Sequence, residues 1–167
     1  NIQKRGEKVN ETRQKVLDLQ AAGQDAEYYP TTNEILSCIQ NDILQIVKGE
    51  DFNFRYGYKE SYIRREITDY NAHTYKVHIP SFIDVGAGDG RVIDFMRGDD
   101  KNEFYIKEKL GIEIADLQAD DLVRRGISII GRDFFDTVLI DKEFSILFSN
   151  PPYSIFKEWC NKIFSEA

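Results

Sequence analysis

With 167 residues the chain is long enough for one domain with a core of ordinary size, and short for two. Its 29 acidic residues against 22 basic give a net charge of -7, so no overall positive field draws it to nucleic acid or an anionic membrane; a nucleic-acid partner needs a local basic patch or a separate module. No run approaches the ~18 apolar residues of a membrane span, and no charged-apolar-small leader precedes the first helix, so no membrane partner is expected. Two cysteines, Cys38 and Cys160, make no disulfide framework, and a reducing, cytoplasmic setting is expected. With His73 and His78 they show no metal-ligand spacing; core thiols and incidental imidazoles are the expectation, and no metal. The missing initiator Met and the abrupt ending "NKIFSEA" suggest a larger protein that has been trimmed.

In chain order, residues 1 to 22 are charged, with Val9, Val16, Leu17 and Leu19 as a thin apolar stripe, which predicts a solvated helix leaning on something else. After a break at Gly23, a helix is predicted to start near Thr31 or Thr32. Ile35, Leu36, Ile39, Ile43, Leu44 and Ile46 recur at helical spacing and predict one buried face. Residues 49 to 78 mix aromatics with Arg55, Lys59, Arg64 and Arg65 and suit a hairpin plus a short helix. Interleaved basic and aromatic side chains can grip nucleic acid, but an aromatic-rich hairpin packed on the domain is the preferred reading. From residue 80 the pattern is regular. "SFIDVGAG" is a buried strand entering a Gly-rich turn, "RVIDFMRG" a helix, "KLGIEIA" a strand, "DLQADDLVRRG" a helix, and "ISIIG" and "FSILFSN" two further strands. Short apolar strands alternating with helices predict crossover units and a parallel α/β sheet with helices on both faces. In such sheets ligands sit beyond the carboxyl ends of the strands, where strand order reverses.

The residues just past each strand carry the chemistry. In "DVGAGDG" the glycines 86, 88 and 90 let the backbone turn tightly and approach a ligand. Position 91 is Arg where a dinucleotide fingerprint has Gly, and no Gly-Lys-Ser/Thr follows, so neither phosphate-binding pattern is met. A Gly-x-Gly-x-Gly turn behind Asp84 instead suits a cofactor with an amino acid and a nucleoside but no phosphates. Glu113 ends the second strand and can accept from vicinal ribose hydroxyls. Asp133, in "GRDFF", can accept from an exocyclic amine, with a neighbouring Phe over the ring. Each acid alone reads as a helix cap or a loop charge; three acids past three successive strands are harder to dismiss. After the fourth strand, Asn150-Pro151-Pro152-Tyr153 forms a stiff turn without proline donors, where an amide oxygen and a proline carbonyl lie side by side. A flat substrate bearing an NH₂ group can donate one hydrogen to each acceptor and stack on Tyr153, a positioning and electrostatic contribution.

Together "DVGAGDG", "GIE", "GRDFF" and "NPPY" resemble the class I S-adenosylmethionine-dependent methyltransferases, "NPPY" marking the branch that methylates planar amino groups. The upstream "YYPT", Tyr28 to Thr31, resembles a segment of DNA adenine-N6 methyltransferases that touches the methionine end of the cofactor. The resemblance implies a Rossmann-like class I methyltransferase fold, present in part with about four of its strands: an N-terminal helical extension over 1–26, and a core over 27–167 with an insertion at about 49–79. It implies S-adenosyl-L-methionine as cofactor, with Tyr29, Thr31, Asp84, Gly86, Gly88, Glu113, Ile114, Asp133, Phe134 and Asn150 around it. Asn150, Pro151, Pro152 and Tyr153 would hold the target amine of a DNA adenine flipped from its duplex, as in enzymes of phage or restriction-modification type. Any target-recognition module would follow residue 167, and a protein partner would dock through the N-terminal helix or that missing part. "NPPY" serves all planar amines, so a protein glutamine or an RNA base remains an alternative substrate. So does an inactive, truncated binding module of the same fold.

Overall fold

The computed structural model describes residues 13, 14, 16–23, 29–48, 63–69, 74–96 and 102–167. The expectations placed on Val9, Tyr28, Arg55, Lys59 and His73 lie outside these residues. Residues 16–21 are helical, and of the thin stripe Leu19 is buried, Val16 half-buried and Leu17 exposed. Helix α1 (Asn33–Lys48) begins where Thr32 Oγ1 accepts the Ile35 N–H at 3.4 Å, an N-cap at the predicted place. Its buried face is narrower than the spacing predicts. Leu36, Ile43 and Leu44 are buried, whereas Ile35 and Ile46 are exposed because they lie about 100° round the helix from that stripe. Cys38 on this helix is also exposed and Cys160 is half-buried, so neither is the core thiol expected.

The aromatic stretch does contain a hairpin. Strand β1 (Arg64–Asp69) runs antiparallel to β2 (Thr74–Val85), with Arg64 opposite His78 and Ile67 opposite Tyr75. Its second strand continues directly into the buried "SFIDV" run, so residues 74–79 belong to the central strand of the sheet. Pro80 marks the handover. β1 pairs with β2 as far as His78, and the last strand takes up the same edge from Phe82, so the missing proline N–H falls between the two partners.

The remaining elements follow in order: α2 (Arg91–Phe95), β3 (Asn102–Ile112), α3 (Asp116–Arg124), β4 (Ser128–Gly131), β5 (Ile146–Ser149), a 3₁₀ turn (Tyr153–Ile155) and α4 (Phe156–Glu166). β3 begins well before the predicted Lys109. Phe104 and Ile106 are buried while Tyr105, Lys107 and Glu108 are exposed, an alternation diluted by the charges. Strands β2 to β5 are mutually parallel in the order β5-β2-β3-β4, and β1 adds an antiparallel strand beside β5 on the edge of β2. The chain therefore winds one way through β2, β3 and β4 and then returns to the far side of β2, which is a reversal of strand order between β2 and β5.

Both faces of the sheet are covered. Phe82 packs with Val92, Ile93, Met96 and Leu122 and with the buried stripe of α1. Its neighbour Ile83, pointing the other way, packs with Val85, Ile112, Phe134, Leu139 and Trp159 of α4. Among the described residues no helix is long and apolar enough to cross a membrane.

Candidate functional site

A cleft of about 200 Å³ opens at the carboxyl ends of the parallel strands, at the reversal point. Asp84, Gly86 and Gly88 line it from the turn after β2, and Glu113 and Ile114 from the end of β3. Asp133 and Phe134 reach it from behind β4, Asn150 and Pro152 from behind β5, and Tyr29 and Thr31 from the segment before α1. Of the residues predicted for the site, Pro151 and Tyr153 are not on its wall; the Tyr153 ring lies outside, against Tyr29.

Asp84 is the most unusual of these side chains. It is 1% exposed, and neither carboxylate oxygen has a hydrogen-bond partner among the described residues. Burial first, then the nearby Glu113 and Asp89 carboxylates, push its pKa well above the ordinary value. A buried acceptor pair left unsatisfied costs stability, and it faces a cleft where a ligand carrying N–H donors or positive charge would satisfy it.

Glu113 is buried too, but partnered. Its Oε2 accepts the Gly88 N–H at 2.7 Å and its Oε1 the Ala115 N–H at 2.8 Å. Burial raises its pKa, opposed by those backbone donors and by the Arg132 guanidinium. An ionised carboxylate has about four lone-pair sites, so each oxygen keeps capacity for a further donor such as a hydroxyl. The Gly88 bond also ties the Gly-rich turn to the end of β3, where the Gly86 and Ala87 N–H groups both donate to the Ile112 carbonyl.

Two glycines of that turn are required by geometry. Gly86, at φ +81°, lies over Trp159, whose ring a Cβ would meet at 3.6 Å. Gly90, at φ +70°, would place a Cβ 2.5 Å from Leu122 Cδ2 and 2.6 Å from Arg125 Nη2. Arg125 holds the turn from behind, donating to the Asp89 carbonyl at 2.5 Å and pairing with Asp94 at 2.6 Å. Arg91 pairs with Asp89 through Nη2 at 2.6 Å, and both line the cleft.

Past β4, Asp133 Oδ1 accepts the Phe135 N–H at 2.8 Å, which closes a tight turn and leaves its other oxygen for a donor in the cleft. The ring beside it differs from expectation. Phe134 lines the cleft but is 2% exposed, its ring 4.4 Å from that of Trp159, so most of its face is spent on the core. Phe135, 43% exposed and also on the wall, is the ring with a free face.

Asn150 is exposed, and its Nδ2 donates to the Tyr29 carbonyl at 2.7 Å. That bond fixes which end of the amide is occupied, so Oδ1 is the end left to accept. It also joins the "YYPT" and "NPPY" segments, and the Tyr29 and Tyr153 rings meet with centroids 5.6 Å apart.

Several wall residues carry no signal in the sequence. Trp159 comes from α4, the helix that was not predicted; its Nε1 donates to Ser149 Oγ at 2.9 Å, and Ser149 Oγ donates to the Val85 carbonyl at 2.9 Å, a chain that binds α4 to β5 and β2. The amphipathic run after "NPPY" was the signal for it. Gln118, in the first turns of α3, has its Nε2 buried without a partner among the described residues, and nothing in "DLQADD" sets it apart. No family model, curated protein or solved structure matches this chain.

Proposed function

We propose that the chain is a methyltransferase that uses S-adenosyl-L-methionine to methylate the exocyclic N6 amine of adenine in DNA. The observation that carries this reading is the convergence in one cleft of Asp84, Glu113, Asp133 and Asn150, with both Asp84 oxygens unpartnered. Asp84 suits the ammonium end of an amino acid, Glu113 vicinal hydroxyls, and Asp133 with Phe135 an aminopurine ring, which together describe an amino acid joined to a nucleoside. The donor set therefore fits the cofactor, which when bound would supply a methyl group on a positively charged sulfur.

The chain's own residues would do the rest by positioning. Asn150 Oδ1, its amide turned by the Tyr29 carbonyl, accepts one hydrogen of the target amine and a carbonyl of the Pro151-Pro152 turn the other. Holding both hydrogens aims the nitrogen lone pair and stabilises positive charge as it develops there, which is electrostatic preorganisation. The new N–C bond takes the methyl, the S–C electron pair stays on sulfur, and the nitrogen gives one proton to solvent.

The test is calorimetric titration of the 167-residue chain with S-adenosylhomocysteine, then labelled methyl transfer to DNA followed by nucleoside digestion. Saturable binding abolished by Glu113→Ala, with label recovered in N6-methyladenine, supports the reading. A folded chain that binds none of the ligand overturns it. Label found in RNA or in a glutamine peptide overturns the substrate.

A further inference from the structure

Resting on the methyltransferase reading above, we propose that Tyr29 and Tyr153 are the two walls of a slot built for an aromatic heterocycle, so that the accepting amine belongs to a nucleobase and not to a glutamine side chain. The two tyrosines come from segments at opposite ends of the described chain, yet their rings lie 5.6 Å apart, tilted by 47°. Tyr29 is 60% exposed and Tyr153 71%. Tilted and exposed in this way, the rings do not stack on each other, and each keeps a face for a third ring. Both are fixed to the acceptor that would hold the amine: Tyr153 lies in the same turn as Asn150, and the Tyr29 carbonyl receives the Asn150 Nδ2 at 2.7 Å.

A glutamine amide is flat but small. One ring face and two acceptors cover it, and a second tyrosine adds little. A purine has two broad faces, and each face laid against an aromatic ring contributes separately, with little dependence on which base it is. Two rings at the acceptor therefore match a base drawn out of its stack, which loses neighbours on both faces and regains them here. Tyr29, which the sequence resemblance assigned to the cofactor, is on this view a substrate-side residue.

The probe is a single-stranded DNA oligonucleotide carrying one 2-aminopurine, added to the chain after saturation with S-adenosylhomocysteine so that the cofactor's own adenine subsite is filled. Stacking between the tyrosines should quench the probe saturably. Tyr29→Ala should weaken its binding by about five-fold to a hundred-fold, the factor that a base–aromatic stack contributes, while Tyr29→Phe should bind like wild type. Affinity for S-adenosylhomocysteine should change by less than about two-fold in both variants, since the polar groups of the cleft are untouched. Wild-type quenching in Tyr29→Ala overturns the slot. A loss confined to S-adenosylhomocysteine returns Tyr29 to the cofactor and also overturns it, as does a glutamine peptide that displaces the oligonucleotide and binds Tyr29→Ala undiminished. A wild-type chain that binds no S-adenosylhomocysteine defeats the underlying reading instead, and the slot is then judged on the oligonucleotide alone. Matched melting curves for the three proteins exclude unfolding as the cause.

Discussion

The two ends of the cleft are built in opposite ways. At the Gly-rich end, Asp84 and Glu113 are buried, the turn is bonded to β3 through Gly86, Ala87 and Gly88, and Arg125 braces it from behind. At the "NPPY" end, Asn150, Tyr153 and Tyr29 are all exposed, and a single hydrogen bond joins the two segments that meet there. The first end has its shape before any ligand arrives. The second has its acceptors and rings in place but leaves them in water, as a site must when its partner is large and has to be admitted from outside. Polar preorganisation suits a small ligand enclosed on several sides, whereas exposed aromatic surface gains most when a flat partner covers it.

If that contrast is correct, the two ends separate under mutation, and the largest effect belongs to the exposed one. Asn150→Ala removes the acceptor and the link to Tyr29 without touching the buried acids. Methyl transfer should fall by about 10²–10³ in kcat, while S-adenosylhomocysteine affinity stays within about two-fold. Equal losses in both would show that the ends are one structural unit. At the buried end, Gly90→Ala puts a methyl group into Leu122 and Arg125 at a φ of +70°. The expected cost is about 2 kcal/mol of unfolding free energy, read from urea denaturation, together with weaker S-adenosylhomocysteine binding as the turn shifts. A variant as stable as wild type would mean that Arg125 moves aside freely and that the turn is not braced.

The same contrast explains what was legible in the sequence. The parallel strands were readable because their cores are short apolar runs closed by Gly, Asp or Asn, and the acids past them were readable because position after a strand is itself a functional signal in this kind of sheet. Thr32 as a cap was readable from local chemistry. The first halves of β2 and β3 were hidden, since one face of each meets solvent or charged neighbours and the alternation is broken by Pro80 or diluted by lysines. Helix α4 was not predicted, and with it went Trp159, the ring beneath Gly86 and beside Phe134. The exchange of roles between Phe134 and Phe135 was not readable, because which of two adjacent rings points inward depends on where the chain leaves β4. The exposed Ile35 and Ile46 show the limit of periodicity, which finds a stripe but not its width.

The smallest expected effect concerns Asp84 and has opposite signs for stability and binding. Its pKa is raised by burial, by Glu113 and by Asp89, so the folded ligand-free chain binds the carboxyl proton more tightly than the unfolded chain does. A group raised in this way contributes its stability in full below the unfolded pKa, and that contribution is lost as pH rises through the folded value. Glu113, also raised, acts in the same direction. Asp84→Asn keeps the shape and removes the titration. Near the ordinary carboxyl range the two proteins should therefore have similar urea midpoints, and as pH rises toward neutral the variant should draw ahead by about 1 kcal/mol, the low end of the cost of a buried unsatisfied group. Saturating S-adenosylhomocysteine should reverse the order, because a ligand that binds the folded wild type more tightly stabilises it by mass action. A ligand-free variant less stable than wild type at neutral pH would mean that Asp84 has a partner within the fold; a variant whose advantage survives ligand would mean that the carboxylate does not face the bound amino acid. The expected crossing of the two curves would show a carboxylate kept at some cost to the empty fold because of what it holds in the filled one.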